Sequence, residues 1–423
     1  MMPSMFSAIS GLKAHQEMMN VIGNNIANVN TPGYKTARIT FKDVFSQTLR
    51  GATGPQQGRG GTNPQQIGLG TSVSSIDNIF TNGNPQRTDS PLDLSISGNG
   101  FFMVGDNSGR YFTRAGNFGI DMAGNLVDAS GHMVLGWPAD IDEKYDTSTD
   151  PTSLNLYSRL TLGAQPTSNV IMGGNLDAGT PTATPDNSIP YEFTVYDSLG
   201  NEHILTVTYT RTGANEWEAT VSTTDASITA GLPTTSVPLT FDHNGKLTDT
   251  DTIPADGVMT LDITGLTFDN GAADQNFTIS LPTDNFTMFA GDTSAKATDK
   301  DGYASGTFES CSIDQYGRII GTYSNGGRQV LGVLSIADFA NEGGLLKAGD
   351  NLYQDTNNSG DPEIGQAGGK GFGVINPGTL EMSNVDLSQE FTNMIIAQRG
   401  FQANSRIITA SDELLQELVN LKR

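Results

Sequence analysis

The sequence predicts a mainly β, multidomain protein with an α-helix at each end, the two terminal helices pairing in coiled-coil fashion. Three observations carry this. Apolar residues at 3/4 spacing are confined to the two ends, and period-two alternation bounded by Gly, Asn and Asp turns fills the middle. An acidic, Thr-dense block interrupts that middle, which marks a domain inserted into a discontinuous one.

Residues 1–34 form the first element, an N-terminal assembly helix. Met5, Ile9, Leu12, Met19, Ile22, Ile26 and Val29 make one narrow seam, broken where Gln16 takes a seam position. Pro32 and Gly33 stop the helix. Residues 35–90, rich in Gly, Gln, Asn and Thr, read as an extended linker.

A β core domain begins at 91. Phe102 and Val104 alternate, with turn candidates at Asp106–Gly109 and Asp121–Gly124. The same texture returns after Phe286, so 91–140 and 286–380 form one discontinuous domain. Between them, 141–285 holds 4 Lys or Arg against 20 Asp or Glu, which places sixteen of the chain's 23 net negative charges in that third. Tyr191, Phe193 and Val195 alternate, Asp197–Asn201 turns, and Leu205, Val207 and Tyr209 alternate again. The block reads as an inserted antiparallel β domain.

The last element, 381–423, is a C-terminal assembly helix. Leu387, Phe391, Met394, Phe401, Ile408, Leu415 and Val419 form its seam, and Ser383 followed by Asp386 supplies an N-cap and an acid in the first turn. A second stripe of Ile395, Ile407, Leu414, Leu418 and Leu421 exceeds what one buried face needs, so this helix meets more than one neighbour.

Composition narrows function mainly by exclusion. A net charge of −23 argues against a nucleic-acid partner. Cys311 stands alone, so no intrachain disulfide forms. No apolar run reaches the roughly 18–20 residues of a membrane span, and the first 33 residues lack the order of a cleavable signal peptide.

The four histidines, His15, His132, His203 and His243, are scattered, and no nucleophile elbow, phosphate loop or dinucleotide fingerprint occurs. Asp355, Asn357, Ser359, Gly360 and Asp361 begin like a calcium loop, but Gln366 stands where its bidentate Glu belongs. Asp249 and Asp251 fail outright because Pro254 takes the glycine position. Asn276 and Asn285 fit glycosylation sequons. No catalytic residue, metal ligand or cofactor follows, and the expectation is a chain that is not an enzyme. A secreted glycan-binding or adhesive β protein would favour clustered aromatics, whereas Trp137 and Trp217 lie far apart.

Several runs carry a resemblance. Asn24-Asn25-Ile26-Ala27-Asn28-Val29-Asn30-Thr31-Pro32-Gly33-Tyr34-Lys35 resembles the N-terminal signature of flagellar rod and hook proteins, and the run from Ser383 resembles the matching C-terminal end. Leu94–Phe102 and Tyr111–Phe118 resemble the shared β-rich core. Val195–Asn201 followed by Trp217 is similar to the outer domain of hook-type members, and a distal rod protein lacks so large an insert; the Thr31-Pro32-Gly33-Tyr34 junction is rod-like.

The resemblance implies a homo-polymer: a curved hollow tube acting as a universal joint between motor and filament. It implies rod, hook-cap and hook–filament junction proteins as partners. It also implies passage through the type III export apparatus without a cleaved signal, to an extracellular place in the flagellum. Two expectations accompany it: the terminal helices are unfolded until neighbours arrive, and the C-terminal helix packs on no β domain.

Overall fold

The computed structural model describes residues 2–55, 58, 60–106, 109–182, 187–232, 236–248, 258–369 and 371–420. The expectations for Asp249, Asp251, Pro254, Leu421 and the middle of the Asp106–Gly109 turn lie outside them, as does the side chain of Leu418. Strands dominate, with one long helix at each end: α1 over Met2–Ala27 and α2 over Leu387–Asn420. The chain divides into two units, one holding residues up to Ser158, Cys311–Ile320 and the stretch from Val330 on, the other holding Arg159–Ser310 and Gly321–Gln329.

In the first unit an antiparallel sheet runs in the order Arg328–Asp338, Met133–Pro138, Phe101–Asp106, Gly109–Thr113, Leu352–Gln354, Leu346–Gly349. Its central strand is buried on both faces, so Phe101 and Met103 pack on Phe112, Phe339 and Tyr353 while Phe102 meets Phe118 edge-on at 5.1 Å. That double burial explains why the alternation at Phe102 and Val104 sits inside a continuous apolar run.

The stretch read as an extended linker doubles back on itself. Ala37–Asp43 pairs with Thr71–Asn78, and beyond them Ser46–Arg50 pairs with Gln65–Gly68. The first pair lies along α1, with Thr71 N–H donating to Ser10 Oγ at 3.2 Å and Phe41 beside His15, so α1 packs on strands.

The second unit is a two-sheet sandwich. Ser188–Tyr196, Glu202–Arg211, Glu216–Thr223 and Val237–Thr240 form an antiparallel meander. The expected hairpin is there, with Val195 opposite His203 and Tyr191 opposite Val207. Val258–Phe268 and Gln275–Pro282 anchor the facing sheet. Among the described strands, Asn169–Asn175 departs from antiparallel pairing, running parallel to both Gln275–Pro282 and Phe286–Thr287. Val195, Leu205, Val207, Trp217 and Leu239 from one sheet pack on Met172, Leu261, Ile263, Phe277 and Ile279 from the other.

The unit's limits differ from those of the composition shift at 141–285, for identifiable reasons. Residues 141–158 stay with the first unit because Thr152–Ser153 pairs with Leu135 and Gly136, and Trp137 Nε1 donates to Thr149 O at 2.7 Å. Residues 286–300 go with the sandwich because Lys296–Lys300 pairs with Asn169–Asn175.

One five-residue turn recurs across both units: Asp121–Asn125, Asp128–His132, Asp197–Asn201, Asp242–Lys246 and Asp314–Arg318. In each, the Asp carboxylate accepts the backbone N–H four residues on, at 2.7–2.9 Å, and the fourth residue is a glycine at φ between +74° and +90°. The carboxylate replaces ladder bonds that the tight reversal removes. Backbone and side-chain donors hold several of these carboxyls low: the Asn125 amide for Asp121, and the Lys246 N–H for Asp242.

Asp197 is the most enclosed of the five, and burial alone would raise it. Bonds from Asn201 and Asn270 outweigh that and hold it well below the carboxylate range, with His203 Nε2 at 3.3 Å. A depressed carboxyl contributes stability at neutral pH that is lost as pH falls, because the unfolded chain takes up the proton first. The sandwich's thermal midpoint should therefore stay level from pH 7 to about 5 and drop below about 4, the ordinary Asp value. Asp197→Ala, by removing the acceptor for the Asn270 and Asn201 amides and the Leu199 N–H, should cost about 3 kcal/mol at pH 7 in a denaturant titration.

Candidate assembly surface

The two helices pair antiparallel within the chain. A Cβ on Gly11 would sit 2.7 Å from Asn404 Nδ2, one on Gly400 would sit 2.5 Å from His15 Nε2, and Asn25 bonds Glu390. Each step up α1 is thus matched by one step down α2. The buried line on α1 runs through Ala8, Gly11, Ile22 and Asn25, and on α2 through Ala397 and Ser411, with Met394, Phe401, Asn404 and Ile408 partly covered. Small residues let the two backbones approach, and the polar pairs fix the register. Burial pushes the Glu390 carboxyl up, partly offset by the bond from Asn25.

The expected seam residues divide into three groups. Ile22 is buried, and Met5, Ile9, Leu12, Met19, Ile26 and Val29 are half-buried, as are Met394, Phe401 and Ile408. Leu387, Phe391, Leu415 and Val419 are exposed, the last two at 39% and 69%. Leu415 and Val419 follow Ile408 at heptad spacing and so continue the paired face of α2. The register sets Ser4 level with Ser411 and Met2, where α1 begins, level with Glu413, so Leu415 and Val419 both lie beyond the described side chains of α1. Ile395, Ile407 and Leu414 of the second stripe are exposed as well.

The N-cap of α2 is Asp386 rather than Ser383. Its carboxylate accepts Ser388 N–H at 2.8 Å and Gln389 N–H at 3.3 Å, while Ser383 Oγ takes only Val385 N–H.

Both helices are fastened to the first unit's β core at one place. Lys35 Nζ lies 2.7 Å from Glu381 Oε1 and donates to Thr81 O at 2.9 Å. Gly83 N–H reaches the same Glu381 oxygen at 2.8 Å, and Arg114 Nη1 lies 3.5 Å from Oε2 while its guanidinium covers the Phe101 ring. None of the three charged side chains is more than 2% exposed. Burial lowers the Lys35 pKa, and the Glu381 charge opposes that.

Around this cluster, Gly33 N–H donates to Glu381 O at 2.8 Å and Thr36 N–H to Asn384 Oδ1 at 2.8 Å. Asn25 makes both an N–H and a C=O bond with Ala37, and Tyr34 Oη donates to Asn25 Oδ1. Gly33 sits at φ +71°, where an added Cβ would lie 2.5 Å from Ala115 N. The N-terminal signature is therefore a turn that plugs into the β core beside the start of α2.

Four family profiles match this chain in order along its length. They are Flagella basal body rod protein over 5–35, Flagellar hook protein FlgE/F/G D1 domain over 95–157, Flagellar basal body protein FlaE D2 domain over 173–303, and Flagellar basal body rod FlgEFG protein C-terminal over 376–421. The chain is 41% identical to the Flagellar hook protein FlgE of Borreliella burgdorferi, covering 100% of both chains.

The chain belongs to the flagellar hook protein family. It is a structural subunit of the bacterial flagellar hook. The Flagellar basal-body rod protein FlgG of Bacillus subtilis also aligns over 100% of both chains, but at 32% identity, so the rod alternative is not favoured. The Helicobacter pylori flagellar hook protein FlgE2 has a solved structure that overlays with a TM-score of 0.48, at 16% identity, over 70% of this chain and 100% of that one.

Three residues of this hook protein that periodicity could not single out carry the fastening: Lys35, Arg114 and Glu381. The only signal for them was that Lys35 and Arg114 fall inside runs shared with the family. The calcium-like stretch is a turn closed by the hydroxyls of Thr356 and Ser359, and no grouping of His, Cys, Asp and Glu suited to a metal occurs among the described residues.

Lys35→Met should leave Glu381 buried with only a distant guanidinium, at a cost of about 3–5 kcal/mol to the first unit. Calorimetry should show its transition falling while that of the sandwich stays put. Gly33→Ala should lower the same transition, because its backbone angle and the Ala115 amide both oppose a Cβ.

Proposed function

We propose that this hook subunit polymerises through its terminal helices into a curved hollow tube, a universal joint carrying torque from motor to filament. The uncovered continuation of the α2 seam at Leu415 and Val419 supports this reading best. An apolar face at heptad spacing that stays exposed in the subunit calls for a helix from another copy. The helices pair within the subunit first, which makes each chain a preformed two-helix strut rather than a pair of unfolded tails. The acidic sandwich, with its edge strand blunted by Pro190, by Thr167 capping Tyr196 and by Lys300 reaching Thr194, is protected against indiscriminate strand pairing.

In this reading the chain catalyses nothing. It meets rod proteins at one end of the tube and hook-cap and hook–filament junction proteins at the other. It leaves the cell through the type III export apparatus without losing a signal peptide and ends up outside the cell.

Leu415→Asp tests the seam. In the monomer the residue is already part-exposed, so the thermal midpoint should move by less than about 1 kcal/mol equivalent. In a tube the lost burial of about 1.5–3 kcal/mol recurs at every subunit, and sedimentation should show no polymer at the parent's assembly concentration. Tubes at that concentration would remove the seam from the assembly contact.

A further inference from the structure

The face of α2 turned away from α1 carries a charge pattern of its own. Going once along the helix, Ile395, Arg399, Gln402 and Arg406 share this outward face, and Glu413 and Glu417 continue it two turns further on. All six are exposed. Neither arginine has an ion-pair partner inside the chain among the described residues. The stripe is therefore basic in its middle and acidic at its end, with Ile395, Ile396 and Ile407 beside the basic part and Leu414 beside the acidic part.

Such a stripe cannot satisfy itself within one helix, because its nearest opposite charges, Arg406 and Glu413, are seven residues apart, while Arg406 to Glu417 and Arg399 to Glu413 span eleven and fourteen, roughly 16–21 Å at about 1.5 Å per residue. Two copies in antiparallel, two-fold arrangement could bring basic onto acidic, but would close as a dimer and stop. Two copies side by side and parallel, one advanced by that same distance, set Glu413 and Glu417 of one against Arg399 and Arg406 of the other. That contact is heterologous: each copy keeps an unused basic patch at one side and an unused acidic patch at the other, so it propagates without closing.

We propose that this outward stripe of α2 is a second inter-subunit contact, in which the acidic, Leu-bearing end of one copy's helix docks on the basic, Ile-bearing middle of its neighbour's, parallel and staggered by eleven to fourteen residues. The partner is a second copy of this chain. The inference rests on the polymer reading above, but it concerns a different face from the Leu415 seam, and it assigns that face a polarity and a stagger. Exposed ion pairs are individually weak and screened by salt, so their contribution here is choice of neighbour and register more than strength.

Charge reversal of the full chain tests it. Arg399→Glu with Arg406→Glu, and separately Glu413→Arg with Glu417→Arg, should each raise the critical concentration for tubes at least several-fold at low salt, by setting like charges against each other. All four reversals together should return it to near the parent value, and added salt should narrow the differences. Circular dichroism of each monomer should match the parent's helix content, which keeps a folding defect from imitating the effect.

Double variants that assemble like the parent would overturn the stripe contact while leaving the tube standing. So would a fourfold variant as impaired as either double one with its helices intact. A parent chain that forms no tubes at any concentration would overturn the polymer reading itself, and the stripe with it.

Discussion

The buried charge cluster of Lys35, Glu381 and Arg114 is the constraint on which the rest of the subunit depends. Its two opposite-sign partners are 346 residues apart in sequence, and each stands at the root of a terminal helix. A buried ion pair is a poor source of net stability, since desolvation consumes most of the attraction, but removing one partner is severe. Its value lies in specificity. Only a chain with both ends in place satisfies Lys35, Glu381, Gly83 and Thr81 together, so the cluster fixes where the helices leave the β core.

From that root the register follows. Asn25 and Glu390 meet first, His15 and Gly400 next, then Gly11 and Asn404, each a small or polar pair that would not tolerate a shift. Toward the end of α2, Leu414, Leu415 and Val419 are exposed. A structural protein that must polymerise needs sticky surface, yet a soluble subunit must limit it. Here the apolar excess is gathered at one helix end and along one helix face, while a net charge of −23 keeps the free chain dispersed.

Much of this was legible in the sequence. Helix at both ends, β between them and the hairpin turning at Asp197 all follow from periodicity and turn chemistry, and the structure has them. The face that α1 turns to α2 is less legible, because large apolar residues do not mark it. The line that α1 buries runs through Ala8, Gly11 and Asn25, residues whose smallness or polarity hides them from an apolar pattern, and toward its start the Met5, Ile9 and Leu12 line rotates onto the flank.

The charge cluster was illegible for a different reason. A lysine, an arginine and a glutamate scattered over the chain look like surface charges until the fold brings them together. The five Asp-x-x-Gly turns, by contrast, were visible as spacings, and two of them, beginning at Asp121 and Asp197, were read as turns.

The central claim is that one cluster fastens both helices. Hydrogen exchange resolved along the monomer, in the parent and in Glu381→Gln, tests it most directly. The account predicts that the parent protects 5–25 and 390–411 to a similar degree while 412–420 exchanges fast. In the variant, protection should fall in both helices together, including α1 at the far end of the sequence. Loss confined to α2, or a parent whose two helices exchange independently, would contradict it.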